Sequence, residues 1–121
     1  MRRSEFSRLL SEKVLIGDGA MGTMLYQYGV FLNRCFDELN VSDPALVKRV
    51  HDAYVEVQAD FIETNTFGAN RLKLSAYGLA GEVARINRRG VEIAREVASG
   101  KVLVAGSIGP VSYTHLTLPT N

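Results

Sequence analysis

A single cysteine, Cys35, in 121 residues excludes an internal disulfide framework. No apolar run approaches the ~18 residues that a membrane-spanning helix needs. Met1-Arg2-Arg3-Ser4-Glu5 lacks the continuous apolar stretch of a signal peptide. Neither sign of charge is in excess: 14 basic and 13 acidic residues leave a formal net charge of +1. That balance supplies no electrostatic argument for nucleic acid or for an acidic surface. The remainder is ordinary for a globular chain, with 46% hydrophobic and 22% charged residues in about one domain's length. The expected compartment is the cytoplasm, with neither nucleic acid nor membrane as partner.

The periodicities alternate between strand and helix. Ser4 to Glu12 reads as a short helix with Ser4 as N-cap and Phe6, Leu9 and Leu10 on one face. Val14 to Gly17 is the first strand, and Thr23 to Tyr28 a short helix ending at Gly29. Phe31 to Asn40, with Cys35 and the acid pair Asp37-Glu38, reads as loop. Asp43 caps a helix with Pro44 at its first position, and Leu46, Val47, Val50, Ala53, Tyr54 and Val57 form its apolar stripe. His51 falls on that helix's outer face. Asp60 to Thr64 is the second strand, and Asn70 to Tyr77 a helix ending at Gly78. Glu82 to Ser99 is the longest helix, with Gly90 on its inner stripe where it allows close approach to a strand. Val102 to Ala105 is the third strand. Short non-alternating strands separated by helices imply βα units and a parallel sheet, with ligands at the C-terminal edge of the strands.

The edge residues carry the chemistry. Gly17-x-Gly19-x-x-Gly22 matches the dinucleotide fingerprint in form, with Asp37 and Glu38 about twenty residues on. Against that reading, Asp18 inside the turn would repel a pyrophosphate. The acid pair ends no second strand; the true second strand ends at Glu63. A carboxylate beside free backbone N–H groups instead matches the ammonium and carboxylate ends of an amino acid. The plainer alternative is that Asp18 caps the helix beginning near Ala20.

Four segments together resemble the homocysteine-binding domain of homocysteine S-methyltransferases. They are Gly-Asp-Gly-Ala-Met-Gly-Thr-Met-Leu (17–25), Asn-Val-Ser-Asp-Pro-Ala-Leu-Val (40–47), Glu-Thr-Asn-Thr-Phe-Gly-Ala-Asn-Arg (63–71) and Ala-Gly-Ser-Ile-Gly-Pro (105–110). The resemblance covers about residues 9 to 110. It implies an α/β fold comprising the first three βα units of a (β/α)8 TIM barrel, truncated. It also implies transfer of a methyl group to the zinc-activated thiol of homocysteine, giving methionine. By motif position Asp18 would take the substrate ammonium, and the backbone of Gly19, Ala20 and Met21 would contact the substrate. Glu63, Thr64 and Asn65 would line the second strand's mouth, with Ser107 on the third. Where the family carries Ala-Gly before the second strand, this chain has Val57-Gln58, losing a glycine helix stop.

The family's three zinc cysteines lie on later strands, so no metal ligand and no catalytic residue is expected among these residues. Cys35, His51 and His115 do not form a ligand set. The methyl donor would be met elsewhere, and folate, cobalamin or FAD would enter through further domains. Residues 1–110 are thus expected to be the N-terminal part of the barrel domain, unable alone to transfer a methyl group. Residues 111–121 carry no charge and read as a non-native tail resembling translated adapter sequence. The competing reading is a natural short βαβαβ module whose tail adds an edge strand. A barrel lacking its later strands would also leave apolar strand edges exposed and prone to association.

Overall fold

The computed structural model describes residues 1–110. The tail, with His115, lies outside the described residues. The elements in order are α1 (Arg3–Glu12), α2 (Gly22–Gln27), α3 (Leu39–Ser42), α4 (Pro44–Glu56), β1 (Phe61–Glu63), α5 (Arg71–Ser75), α6 (Val83–Ala98) and β2 (Leu103–Ala105). A 3-10 turn, Ala80–Glu82, leads into α6.

β1 and β2 pair in parallel, with Phe61 opposite Leu103, Ile62 opposite Val104 and Glu63 opposite Ala105. The expected first strand is reduced to one parallel bridge between Gly17 and Phe61. Its cause is visible at Asp60. That carboxylate accepts the Ile16 N–H and the Lys13 ammonium, each at 2.8 Å, so a side chain replaces a backbone partner at the start of the ladder. The same two contacts hold the Asp60 carboxyl below its ordinary value, the Ile16 N–H contributing most. The segment still lies in strand position: Asp60 N–H donates to the Ile16 carbonyl, and Asp18 N–H to the Phe61 carbonyl.

The helices cover one face of the sheet. Ile62 packs with Ala94 and Ala98 of α6, flanked by Tyr54, Val55, Val102 and Val104. A second cluster joins Leu25, Leu39, Val47, Val50 and Ile93, and a third joins Cys35, Ala69, Leu74 and Ile86. On the other side, Phe61, Leu103 and Ala105 line a wide apolar hollow with Phe6 and Leu10 of α1. No residue of α1 is buried, so its apolar face gains little from that hollow. Val14 and Ile16 are also exposed, as expected of an unpaired edge.

Several local expectations need correction. The first helix is capped by Arg2, whose N–H donates to Glu5 Oε2 at 3.0 Å, rather than by Ser4. The Phe31–Asn40 segment does not stay loop to its end, because Leu39 and Asn40 open α3. Asp43 does cap α4, accepting the Leu46 N–H, with Pro44 at the first helical position. His51 is fully buried, not on an outer face. α4 packs against α2, α3, α6 and β1, which covers more of its circumference than a single stripe.

Neither ring nitrogen of His51 has a partner among the described residues. Burial holds the His51 pKa down to about 4 from 6.5, with Asp52 opposing the shift. Between those values the unfolded chain binds a proton that the folded chain refuses. Its stability contribution is therefore full above pH 6.5, declines as the pH falls toward about 4, and is level below. Thermal melts across that window should show the decline, and His51→Leu should flatten it.

Gln58 occupies the left-handed region at φ +69°, just after α4. A side chain there is strained by roughly 1 kcal/mol. Gln58→Gly should raise the stability of the chain by about 1 kcal/mol in denaturant titrations.

Candidate functional site

The turn after the first bridge is shaped by close approach. A Cβ on Gly17 would come within 2.4 Å of the Phe61 ring, and one on Gly22 within 3.2 Å of the Phe36 ring. These glycines are thus accounted for by packing, without a phosphate. The Asp18 N–H is spent on the Phe61 carbonyl, and its carboxylate lies along an open cleft of about 560 Å³. The turn offers that cleft negative charge.

Asp18 does not cap α2, whose N-cap is Met21 with no side-chain hydrogen bond. Its Oδ2 accepts the Glu63 N–H at 2.9 Å across the strand ends, 45 residues away in sequence. Its Oδ1 is buried and has no partner among the described residues. Burial raises the Asp18 pKa; the Glu63 N–H pulls it back, and the nearby Glu63 carboxylate raises it again. A carboxylate with one oxygen anchored and the other unpaired is primed for a cationic hydrogen-bond donor.

Gly19, Met21, Glu63, Thr64, Asn65 and Ser107 line the same cleft as Asp18. Ala20 does not; its carbonyl is occupied by the Tyr54 hydroxyl at 2.8 Å. Thr64 and Asn65 reach the cleft with side chains already committed. Thr64 Oγ1 accepts the Ser107 N–H at 3.0 Å and shares a hydrogen bond with Thr66 Oγ1, which lies 2.7 Å from the Ser107 carbonyl. These hydroxyls fasten the end of β1 to the residues beyond β2.

Asn65 is held more tightly. Its Nδ2 donates to the Phe36 carbonyl at 2.9 Å and to Asn40 Oδ1 at 3.0 Å. Asn40 Nδ2 returns to the Asn65 carbonyl at 2.8 Å and also reaches the Ile86 carbonyl at 3.1 Å. Asn40 is fully buried. Gly90 of α6 makes room for this pair, because a Cβ there would lie 2.8 Å from Asn40 Nδ2 and 2.7 Å from Thr66 Cγ2. The close approach expected of Gly90 is real, and it serves the strand-end polar cluster.

Sequence reasoning missed the cleft's far wall, which includes Leu32, Phe36, Asp37, Phe67, Lys73 and Tyr77. Asp37 Oδ1 accepts the Gly68 N–H at 3.0 Å. Burial raises its pKa while Lys73 favours its ionised form. Lys73 also sits 5.2 Å from the Phe67 ring centroid. The acid pair at 37–38 was a legible signal for Asp37, but its partner on the turn after β1 was not. Among the described residues no group of three or more His, Cys, Asp or Glu side chains is arranged to hold a metal ion. Cys35 is buried beside the cleft as a lone thiol, its pKa raised chiefly by burial.

The sequence model of homocysteine S-methyltransferases matches residues 15–119. Methionine synthases of Mycobacterium leprae and Mycobacterium tuberculosis are each 38% identical over 113 and 114 residues. Each alignment covers 84% of this chain, but only 9% and 10% of those proteins. The structure superposes on the metallated form of the homocysteine methyltransferase MmuM from Escherichia coli with a TM-score of 0.74 and 28% identity. That match covers 89% of this chain and 41% of MmuM. The oxidized form gives a TM-score of 0.74 at 30% identity, covering 84% of this chain and 39% of MmuM. The chain thus spans about a tenth of the methionine synthases and about two fifths of the solved methyltransferase.

Proposed function

The chain belongs to the homocysteine S-methyltransferase family, and from that premise we propose that its cleft is the amino-acid seat of a methyltransferase that converts homocysteine to methionine. The reading rests on one observation above the others: Asp18 Oδ1 is buried beside the cleft without a partner among the described residues. An ammonium group supplies the missing donor and the compensating charge. The Gly19–Met21 backbone and the Glu63 carboxylate border the same space and would orient the rest of the amino acid. Thr64, Asn65 and Ser107 act on the substrate through the shape they give the strand ends.

In this reading residues 1–110 form the first part of a (β/α)8 barrel. The superposition on two fifths of MmuM supports it, as does the uncovered apolar face of the sheet. The described residues do not fit the zinc that the family resemblance implies: they offer one buried cysteine and one buried histidine, on separate elements, and no ligand cluster. Binding and orientation of homocysteine, not activation of its thiol, are what these side chains support. The methyl donor is a second partner. Its chemical identity is not written in this cleft.

Calorimetric titration separates this reading from a dinucleotide site. Homocysteine should bind about tenfold or more tightly than its deamino analogue, γ-sulfanylbutyrate, which lacks the ammonium. NAD should leave thermal melts unchanged. Equal affinity for the two thiols, or protection by NAD, would contradict the assignment.

A further inference from the structure

We propose that Tyr54, a residue of α4 outside the cleft, is a positioning residue that sets the Gly19–Met21 turn and through it the Asp18 carboxylate. The assignment rests on reading Asp18 as the ammonium seat. Tyr54 Oη donates to the Ala20 carbonyl at 2.8 Å, two residues from Asp18. A Cβ on Gly19 would come within 2.8 Å of that same oxygen and 3.2 Å of the ring, so the hydroxyl closes directly against the turn. The ring is itself fixed, packing against both the α2–α4 cluster and the cluster beneath the sheet.

A tyrosine serving only the core would need its ring alone. Here the hydroxyl is spent on a loop carbonyl, which ties the rigid helix layer to the segment carrying the site's charge. Among the described residues, the titratable groups that interact with Asp18 are Glu63 and Tyr54: its carboxylate lies near that of Glu63 and within electrostatic reach of the phenol. Burial raises the Tyr54 pKa most, followed by the Asp18 charge and then Tyr28.

Carbon-13 NMR titration of the full chain tests the proposal. In the unmodified chain the Tyr54 Cζ resonance should move with the Asp18 midpoint, while that of exposed Tyr26 stays still. In Tyr54→Phe, which keeps the ring, the freed turn should let Asp18 reach water, and its midpoint should fall toward the ordinary aspartate value of 3.8. Homocysteine should then bind about fivefold more weakly, with the deamino analogue unaffected. A silent Tyr54 resonance in the unmodified chain, or an unchanged Asp18 midpoint in the folded variant, would overturn the assignment. Failure of the unmodified chain to bind homocysteine would instead sink the functional reading, and the two NMR results would still decide the positioning role.

Discussion

Asp18→Asn should weaken homocysteine binding by about a hundredfold while leaving the chain folded. Asparagine preserves the shape and can still accept the Glu63 N–H that anchors Oδ2 at 2.9 Å. What it removes is the negative charge on the unpaired Oδ1. Truncating one partner of a desolvated charge pair costs about 2–5 kcal/mol, far more than a surface contact of the same length. The deamino analogue carries no ammonium, so its affinity should be indifferent to the substitution. Sign and pH follow together. Burial raises the Asp18 pKa above 3.8, so ammonium binding should fade with acidification earlier than an ordinary aspartate would dictate.

Asn40→Leu should produce the largest loss of stability, about 3 kcal/mol, or roughly 10–15 °C in melting temperature. The side chains are similar in volume, so the cost is polar. Asn40 is fully buried and exchanges two hydrogen bonds with Asn65. Leucine would leave the Asn65 carbonyl and one Nδ2 hydrogen without partners, each worth about 1–3 kcal/mol when buried. A melt displaced by less than a few degrees would show that the cluster is relaxed by water rather than locked.

The main helices and the two paired strands were legible because their signals are local. Asp43-Pro44 marks a helix start, and the α4 and α6 stripes require only nearest-turn spacing. The failures came where a residue is defined by what lies across the chain. His51 reads as an outer position until three helices and a strand surround α4. Val14 to Gly17 has strand composition, yet the Asp60 carboxylate, 44 residues away, takes the Ile16 N–H that would begin its ladder.

The site divides in the same manner. Asp18 was legible because a charge inside a three-glycine turn conflicts with a phosphate cradle. Thr64 and Asn65, expected at the mouth of the second strand, do line the cleft just beyond β1, but their side chains bond to Ser107, Asn40 and Phe36. Asn40 and Tyr54 were read as loop and core. No spacing rule announces an amide that braces a strand end, or a phenol that holds a turn.

A crystal structure of the chain soaked with homocysteine is the most direct measurement of the central claim. The substrate nitrogen should lie about 3 Å from Asp18 Oδ1, with the rest of the amino acid against the Gly19–Met21 backbone. Homocysteine seated against Asp37 and Lys73 instead, with Asp18 Oδ1 still unpaired, would contradict it.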